Sequence, residues 1–123
     1  TYIPVDDADI DLSNYLTIDW ISGYSQLVIW LRIGTTATRT VTLPTPSSTY
    51  AGKVVEIFFG ATTNDSFFGQ ITSGTNRITY RDGTTVATAT TYDGGQNMKY
   101  AKVICMQDPN SLAYQWVIMD SRI

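Results

Sequence analysis

At 123 residues and 13.6 kDa the chain is long enough to bury a core without disulfide or metal staples, and 43% hydrophobic against 15% charged residues marks a folded domain, not a disordered tail. A formal net charge of -3 with scattered Arg and no basic run sets aside nucleic acid and anionic membrane as partners. The absence of His removes Ser-His-Asp, Cys-His and His-ligated metal chemistry, and a single cysteine, Cys105, permits no intrachain disulfide.

No apolar run approaches the ~20 residues that cross a bilayer, and the start carries no basic-plus-apolar leader. The first residue is Thr1, not Met, so a piece of a longer polypeptide is expected. Residues 1–14 hold Asp6, Asp7, Asp9 and Asp11 and read as a connector or lead-in with room for a short edge strand; the domain proper is expected over 15–123. Clustered carboxylates suit a hard cation such as Ca2+. The run Asp6-Asp7-Ala8-Asp9-Ile10-Asp11, however, lacks the glycine and closing glutamate of an EF-hand loop, so a solvated acidic segment and no metal site are expected.

From Tyr15 the pattern is strand after strand. Leu16–Ile21 is apolar at alternate positions and ends at Ser22-Gly23; Gln26–Ile33 is almost continuously apolar and ends at Gly34. Thr38–Leu43 alternates, and Pro44-Thr45-Pro46-Ser47-Ser48 must be loop, because proline lacks the N–H a ladder needs. Lys53–Phe59 and Ser66–Thr72 follow, separated by a turn at Asn64-Asp65. Arg77–Arg81 and Thr84–Thr90 flank Asp82-Gly83, which predicts a type I′ hairpin. Asp93 to Asn97 reads as a loop, Lys99–Met106 and Ala113–Met119 as strands, and Asp108-Pro109-Asn110-Ser111 as a type I turn between them. No stretch has helical spacing, no repeat is visible, and the abundant threonines suit a pleated surface. Roughly nine short strands predict an all-β antiparallel sandwich of jelly-roll type.

Two strands are apolar on both faces. In Gln26–Ile33, Leu27, Ile29, Leu31 and Ile33 face one way and Val28 and Trp30 the other; in Lys53–Phe59, Val55, Ile57 and Phe59 oppose Val54 and Phe58. A sheet in a sandwich normally wets its outer face, so the second apolar face needs a cover, either long loops or another subunit. Val28, Trp30, Val54 and Phe58 are the candidate subunit interface, and Trp30 and Trp116 are expected to be buried.

The stretch Thr40-Val41-Thr42-Leu43-Pro44-Thr45-Pro46-Ser47-Ser48, followed by Tyr50-Ala51-Gly52-Lys53-Val54-Val55-Glu56-Ile57, resembles bacteriophage tail-fibre, tailspike and head-fibre domains, as does the closing strand Trp116-Val117-Ile118-Met119. The resemblance spans residues 40 to 57 and is one of residue types. It implies a β-sandwich assembled as a homotrimer on the virion exterior, serving architecture, host attachment or both. It transfers no functional residue and no particular receptor.

Cys105, flanked by Val103, Ile104 and Met106, reads as a small core hydrophobe, not a nucleophile. Asp65, Asp82, Asp93 and Asp108 occupy turns and Glu56 stands alone in a strand, so no carboxylate pair of a glycoside hydrolase is selected. Glycan binding by loop aromatics and nearby polar groups is the remaining specific chemistry, its candidates being Tyr50, Asn64, Asp65, Phe67, Tyr80, Tyr92, Asp93, Gln96 and Asn97. The expected function is thus a non-enzymatic, cofactor-free virion fibre or spike domain. Its partners would be its own copies and a host surface polysaccharide or receptor. The alternatives are a monomeric carbohydrate-binding module of a larger protein and a small tail-associated glycan hydrolase.

Overall fold

A computed structural model describes residues 2–15, 26–34, 37–61, 68–74, 77–80, 82–89, 91–92, 96–97 and 99–122, with backbone alone at 14, 15, 61, 91, 92, 96, 97 and 122. Branched, aromatic and threonine side chains fill the described segments, and these favour a half-buried pleated surface. In chain order the strands are β1 (Tyr2–Asp6), β2 (Ile10–Asp11), β3 (Gln26–Ile33), β4 (Arg39–Thr42), β5 (Val54–Ala61), β6 (Gly69–Thr72) and β7 (Ile78–Thr79). They continue as β8 (Thr85–Val86), β9 (Thr88–Ala89), β10 (Thr91–Tyr92), β11 (Gln96–Asn97), β12 (Tyr100–Gln107) and β13 (Tyr114–Arg122). Single 3-10 turns occupy Leu12–Tyr15 and Ser48–Tyr50. The expected strands at Leu16–Ile21, the Ser22-Gly23 reversal and the turn at Asn64-Asp65 lie outside the described residues.

The class is all-β, as expected, but the pairing is mixed and not antiparallel throughout. A seven-stranded sheet runs β1-β3-β5-β12-β13-β7-β8, a four-stranded sheet runs β2-β4-β6-β9, and β10 and β11 form a small hairpin. β1 on β3, β3 on β5 and β13 on β7 are parallel, as are β2 on β4 and β4 on β6. Connectivity gives the reason. From β1 to β6 the chain alternates between the two sheets, so each return to a sheet starts from the same end and runs the same way. A strand of the opposite sheet thus serves as the crossover that a helix supplies in a βαβ unit. The register records the winding, Tyr2↔Val28↔Glu56 in the larger sheet and Ile10↔Val41↔Ile71 in the smaller.

The opening segment supplies an edge strand to each sheet, β1 and β2, and buries Ile10 and Leu12 in the core. Its carboxylates are all engaged. Asp6 pairs with Arg32. Asp7, with φ at 48°, accepts from the Gly34 N–H at 2.8 Å and from Arg39 Nε at 3.0 Å. Asp9 accepts from the Thr40 N–H at 2.8 Å, and Asp11 from the Ser13 N–H at 3.0 Å. A side chain at Gly34 would overlap the Asp7 carboxylate, which explains glycine there.

Inward-facing residues of both sheets form one apolar cluster. Phe59 reaches from β5 onto Gly69 of β6, where any Cβ would overlap its ring. The proline loop carries the chain from β4 to β5 and closes one end of the core. The Pro44 carbonyl accepts from Trp116 Nε1 at 2.8 Å and from Ser73 Oγ at 3.0 Å, both side chains being buried.

The Asp82-Gly83 hairpin forms between β7 and β8, but not as type I′. Gly83 alone of that pair has positive φ, +91°; its N–H reaches Tyr80 O at 2.9 Å while the Tyr80 N–H reaches Thr84 O at 2.8 Å. These bonds describe a three-residue loop closed by a left-handed glycine bulge. The Asp108 reversal forms as well, and runs one residue longer than four, with Leu112 at φ 63° donating to Asp108 O at 2.8 Å.

Three carboxylates sit below the ordinary Asp range: Asp7 held by Arg39 and the Gly34 N–H, Asp82 by the Thr84 N–H and hydroxyl, and Asp108 by the Asn110 and Ser111 N–H groups. The unfolded chain then binds more protons than the folded one below about pH 4. The contribution of these groups is complete above that pH and is lost as pH falls through their folded values. Thermal unfolding followed by circular dichroism should show a midpoint nearly constant from pH 7 to 5 and falling below about 4; Asp7→Asn should flatten the fall, and an unchanged slope would contradict the assignment. Gly69→Ala should cost about 1–3 kcal/mol, since Phe59 has nowhere to move in a packed core, as urea unfolding would measure.

Candidate functional site: the outer face of the larger sheet

Strand alternation sends every second residue of β3 and β5 away from the core, and among them Val28, Trp30, Val54 and Phe58 are apolar while Gln26, Arg32 and Glu56 are polar. Leu27, Ile29, Leu31 and Ile33 are buried in the core, while Val28 and Trp30 point outward; Val55, Ile57 and Phe59 are buried, while Val54 and Phe58 point outward. The parallel register then sets the outward residues in rows across the strands. One row reads Pro4–Trp30–Phe58–Tyr100, and its neighbours are Tyr2–Val28–Glu56–Lys102 and Gln26–Val54–Ile104–Val117.

Neighbouring strands lie about 4.8 Å apart, so the aromatic row is contiguous. The Phe58 and Tyr100 rings have centroids 4.9 Å apart and are tilted by 51°. The Trp30 indole leans over Gly60, where a Cβ would come within 3.0 Å of its Nε1. Trp30 stands as a ridge between two open hollows. One, about 470 Å³, is lined by Tyr2, Val28, Phe58, Gly60 and the Lys99 stem; the other, about 420 Å³, by Pro4, Val5 and the Asp6–Arg32 pair. Tyr2 is 60% exposed, Trp30 58% and Phe58 43%. At ~150–250 Å² for each aromatic side chain, these three leave on the order of 300 Å² of apolar surface in water, before Val28 and Val54 are added. That already matches the largest patch of a typical monomer.

The four residues singled out as a subunit interface, Val28, Trp30, Val54 and Phe58, are brought together here. The expectation that Trp30 is buried is corrected for the single chain, because its position on β3 faces outward; Trp116, on the inner face of β13, is buried as expected. Tyr2 and Tyr100 belong to the face and were not singled out from the sequence. Tyr2 fell in the supposed connector, and Tyr100 joins only through the β5–β12 register.

The loop candidates fare differently. Tyr50 packs against the core, its ring 6.4 Å from that of Trp116, and burial pushes its phenol pKa up. Tyr80 also packs on the core margin. Asn64, Asp65, Phe67 and Asp93 lie outside the described residues, and at Tyr92, Gln96 and Asn97 only the backbone of the β10–β11 hairpin is described.

Reactive groups are held in structural roles. Cys105 is buried with its thiol directed at the Ser47 carbonyl, 3.6 Å away, and burial raises its pKa. Glu56 accepts from Gln26 Nε2 at 2.6 Å, while Asp82 and Asp108 bind the backbone of their own turns. Among the described residues no three acidic, Cys or His side chains converge as metal ligands. What the outer face offers is contiguous aromatic contact, with Gln26, Glu56 and Lys102 as hydrogen-bonding groups beside it. Comparison with protein-family models, curated proteins and solved structures finds no match for the chain.

Proposed function

We propose that the chain is a non-enzymatic fibre or spike domain of a virion exterior, assembling through the outer face of its larger sheet as a homotrimer and serving host attachment. The observation that carries this reading is the exposed aromatic row across β3, β5 and β12, the first two of them parallel. Parallel sheets occur almost always with both faces covered, and β3 and β5 carry the near-continuous apolar sequence of strands so covered. A ridge between two hollows is also a shape that another copy can complement, Trp30 of one chain entering the hollow beside Trp30 of the next. The trimeric state is what the resemblance of residues 40 to 57 to phage fibre domains implies. The layering we propose is a two-sheet sandwich in which coil-like winding replaces the antiparallel pairing of a jelly roll.

One observation favours a second reading. Trp30, Phe58 and Tyr100, in register on three adjacent strands, expose a row of aromatic surface on which sugar rings could stack, as a monomeric carbohydrate-binding module would require. The two readings differ in mass. Light scattering on a sizing column should give three times the 13.6 kDa chain mass for the parent. Trp30→Glu and Phe58→Glu should each drop it to one chain that still unfolds cooperatively, because a carboxylate buried without a partner costs several kcal/mol, about 3 or more. A folded variant retaining the parental mass would contradict the assembly surface, and a monomeric parent would favour the sugar-stacking row.

A further inference from the structure

At the other end of the same sheet a third hollow, about 260 Å³, lies where the β12–β13 hairpin meets β7. Its lining differs in kind from the aromatic end. Met106, Pro109 and Val117 give it an apolar wall, and Thr79, Gln107, Asp108 and Gln115 give it hydrogen-bonding groups. We propose that this hollow is the attachment subsite, and that it takes a single neutral pyranose ring of a surface glycan.

The polar groups of the lining are already partly committed. Asp108 Oδ1 accepts from the N–H groups of Asn110 and Ser111 at 2.8 and 3.1 Å, which fixes the carboxylate in place and directs Oδ2 to other partners. Gln107 donates its Nε2 to the Leu112 carbonyl at 3.0 Å, which fixes the amide and leaves Oε1 as an acceptor. Gln115 stands across the strand pair from Met106 and brings a second amide to the same hollow. Thr79 Oγ1 is buried with no hydrogen-bond partner among the described residues. Buried hydroxyls nearly always have partners, and Thr79 is one of the residues that line the hollow.

The lining also selects the ligand class. Among the described residues no Lys or Arg lines the hollow, so phosphate, sulfate and carboxylate groups find no counter-charge there. No aromatic residue among those described lines it either, so a quaternary ammonium finds no cage there. A volume somewhat below the roughly 300–1,000 Å³ of drug-sized pockets suits one small ring. A pyranose has an apolar C–H face for Met106, Pro109 and Val117 and a rim of hydroxyls for the fixed carboxylate and amides.

The subsite gives the attachment role proposed above a location, and it does not depend on assembly through Trp30. The test is saturation-transfer NMR on the full chain with the methyl glycosides of glucose, galactose, mannose and N-acetylglucosamine, with amide shifts to locate binding. At least one glycoside should bind, shifting Gln107, Asp108 and Gln115. Asp108→Asn keeps the turn-capping oxygen but loses the charged acceptor, and should weaken binding about tenfold or more. Thr79→Val should weaken it about threefold to tenfold without lowering the unfolding midpoint, since it removes an unsatisfied hydroxyl. No transfer from any of the four, binding that maps elsewhere, or binding indifferent to Asp108→Asn would overturn the subsite. Running the same titration on Trp30→Glu separates the claims. Sugar binding by a monomeric variant supports the subsite and the assembly surface independently, whereas binding by a variant of unchanged mass supports the subsite alone.

Discussion

Two adjacent parallel strands with apolar residues on both faces are the constraint from which most of this molecule follows. β3 and β5 pair along eight residues, Gln26↔Val54 to Ile33↔Ala61, and lie second and third from the β1 edge of the larger sheet. Their inner rows nucleate the core, with Ile29 stacked on Ile57 and Leu31 on Phe59, and Phe59 carries the contact across to Gly69 in the smaller sheet. Their outer rows create the face on which the functional reading rests. One alternation therefore sets both the stability and the exposed chemistry, and a change of register by one residue would exchange them.

The alternating path of the chain is what makes the parallel pairing possible, and local devices hold it. Each turn of the winding needs the chain to leave one sheet and enter the other at a defined point. The acidic opening segment does this for the first turn, with Asp6 and Asp7 tied to Arg32 and Arg39 and Asp9 tied to the Thr40 backbone. The proline loop does it for the second, anchored by the bond from Trp116 to the Pro44 carbonyl. Fixed backbone φ at proline and a buried indole N–H satisfied by a loop carbonyl are cheap ways to hold a connection that carries no strand of its own.

Much of this was legible in the sequence. Period-two spacing located β3, β4, β5, β12 and β13, and it sorted Leu27, Ile29 and Leu31 from Val28 and Trp30 correctly. Pairing direction was not legible, because alternation reports which face a residue takes and not which way its neighbour runs. The one available signal, the near-continuous apolar run of β3 and β5, is the mark of parallel strands, but it equally fits a second face covered by loops or by another subunit. In the acidic segment the edge strand allowed for is present as β1 and β2, but charge density hid Ile10 and Leu12, which are core residues. The hairpin at Asp82-Gly83 shows the limit of turn chemistry: the dipeptide located the reversal, but one residue's shift of the hydrogen bonds set its type. The third hollow was invisible from sequence, since Thr79, Asp108 and Gln115 come together only through the β13–β7 pairing and the β12–β13 hairpin.

If the outer face is an interface between copies, Trp30 must be in water only when the copies are apart. Its fluorescence decides this directly, because Trp116 is buried in every state and Trp20→Phe removes the remaining indole. Acrylamide quenching should be weak at high protein concentration and strengthen on dilution as the copies separate. Strong quenching of Trp30 that is the same at every concentration would contradict the account.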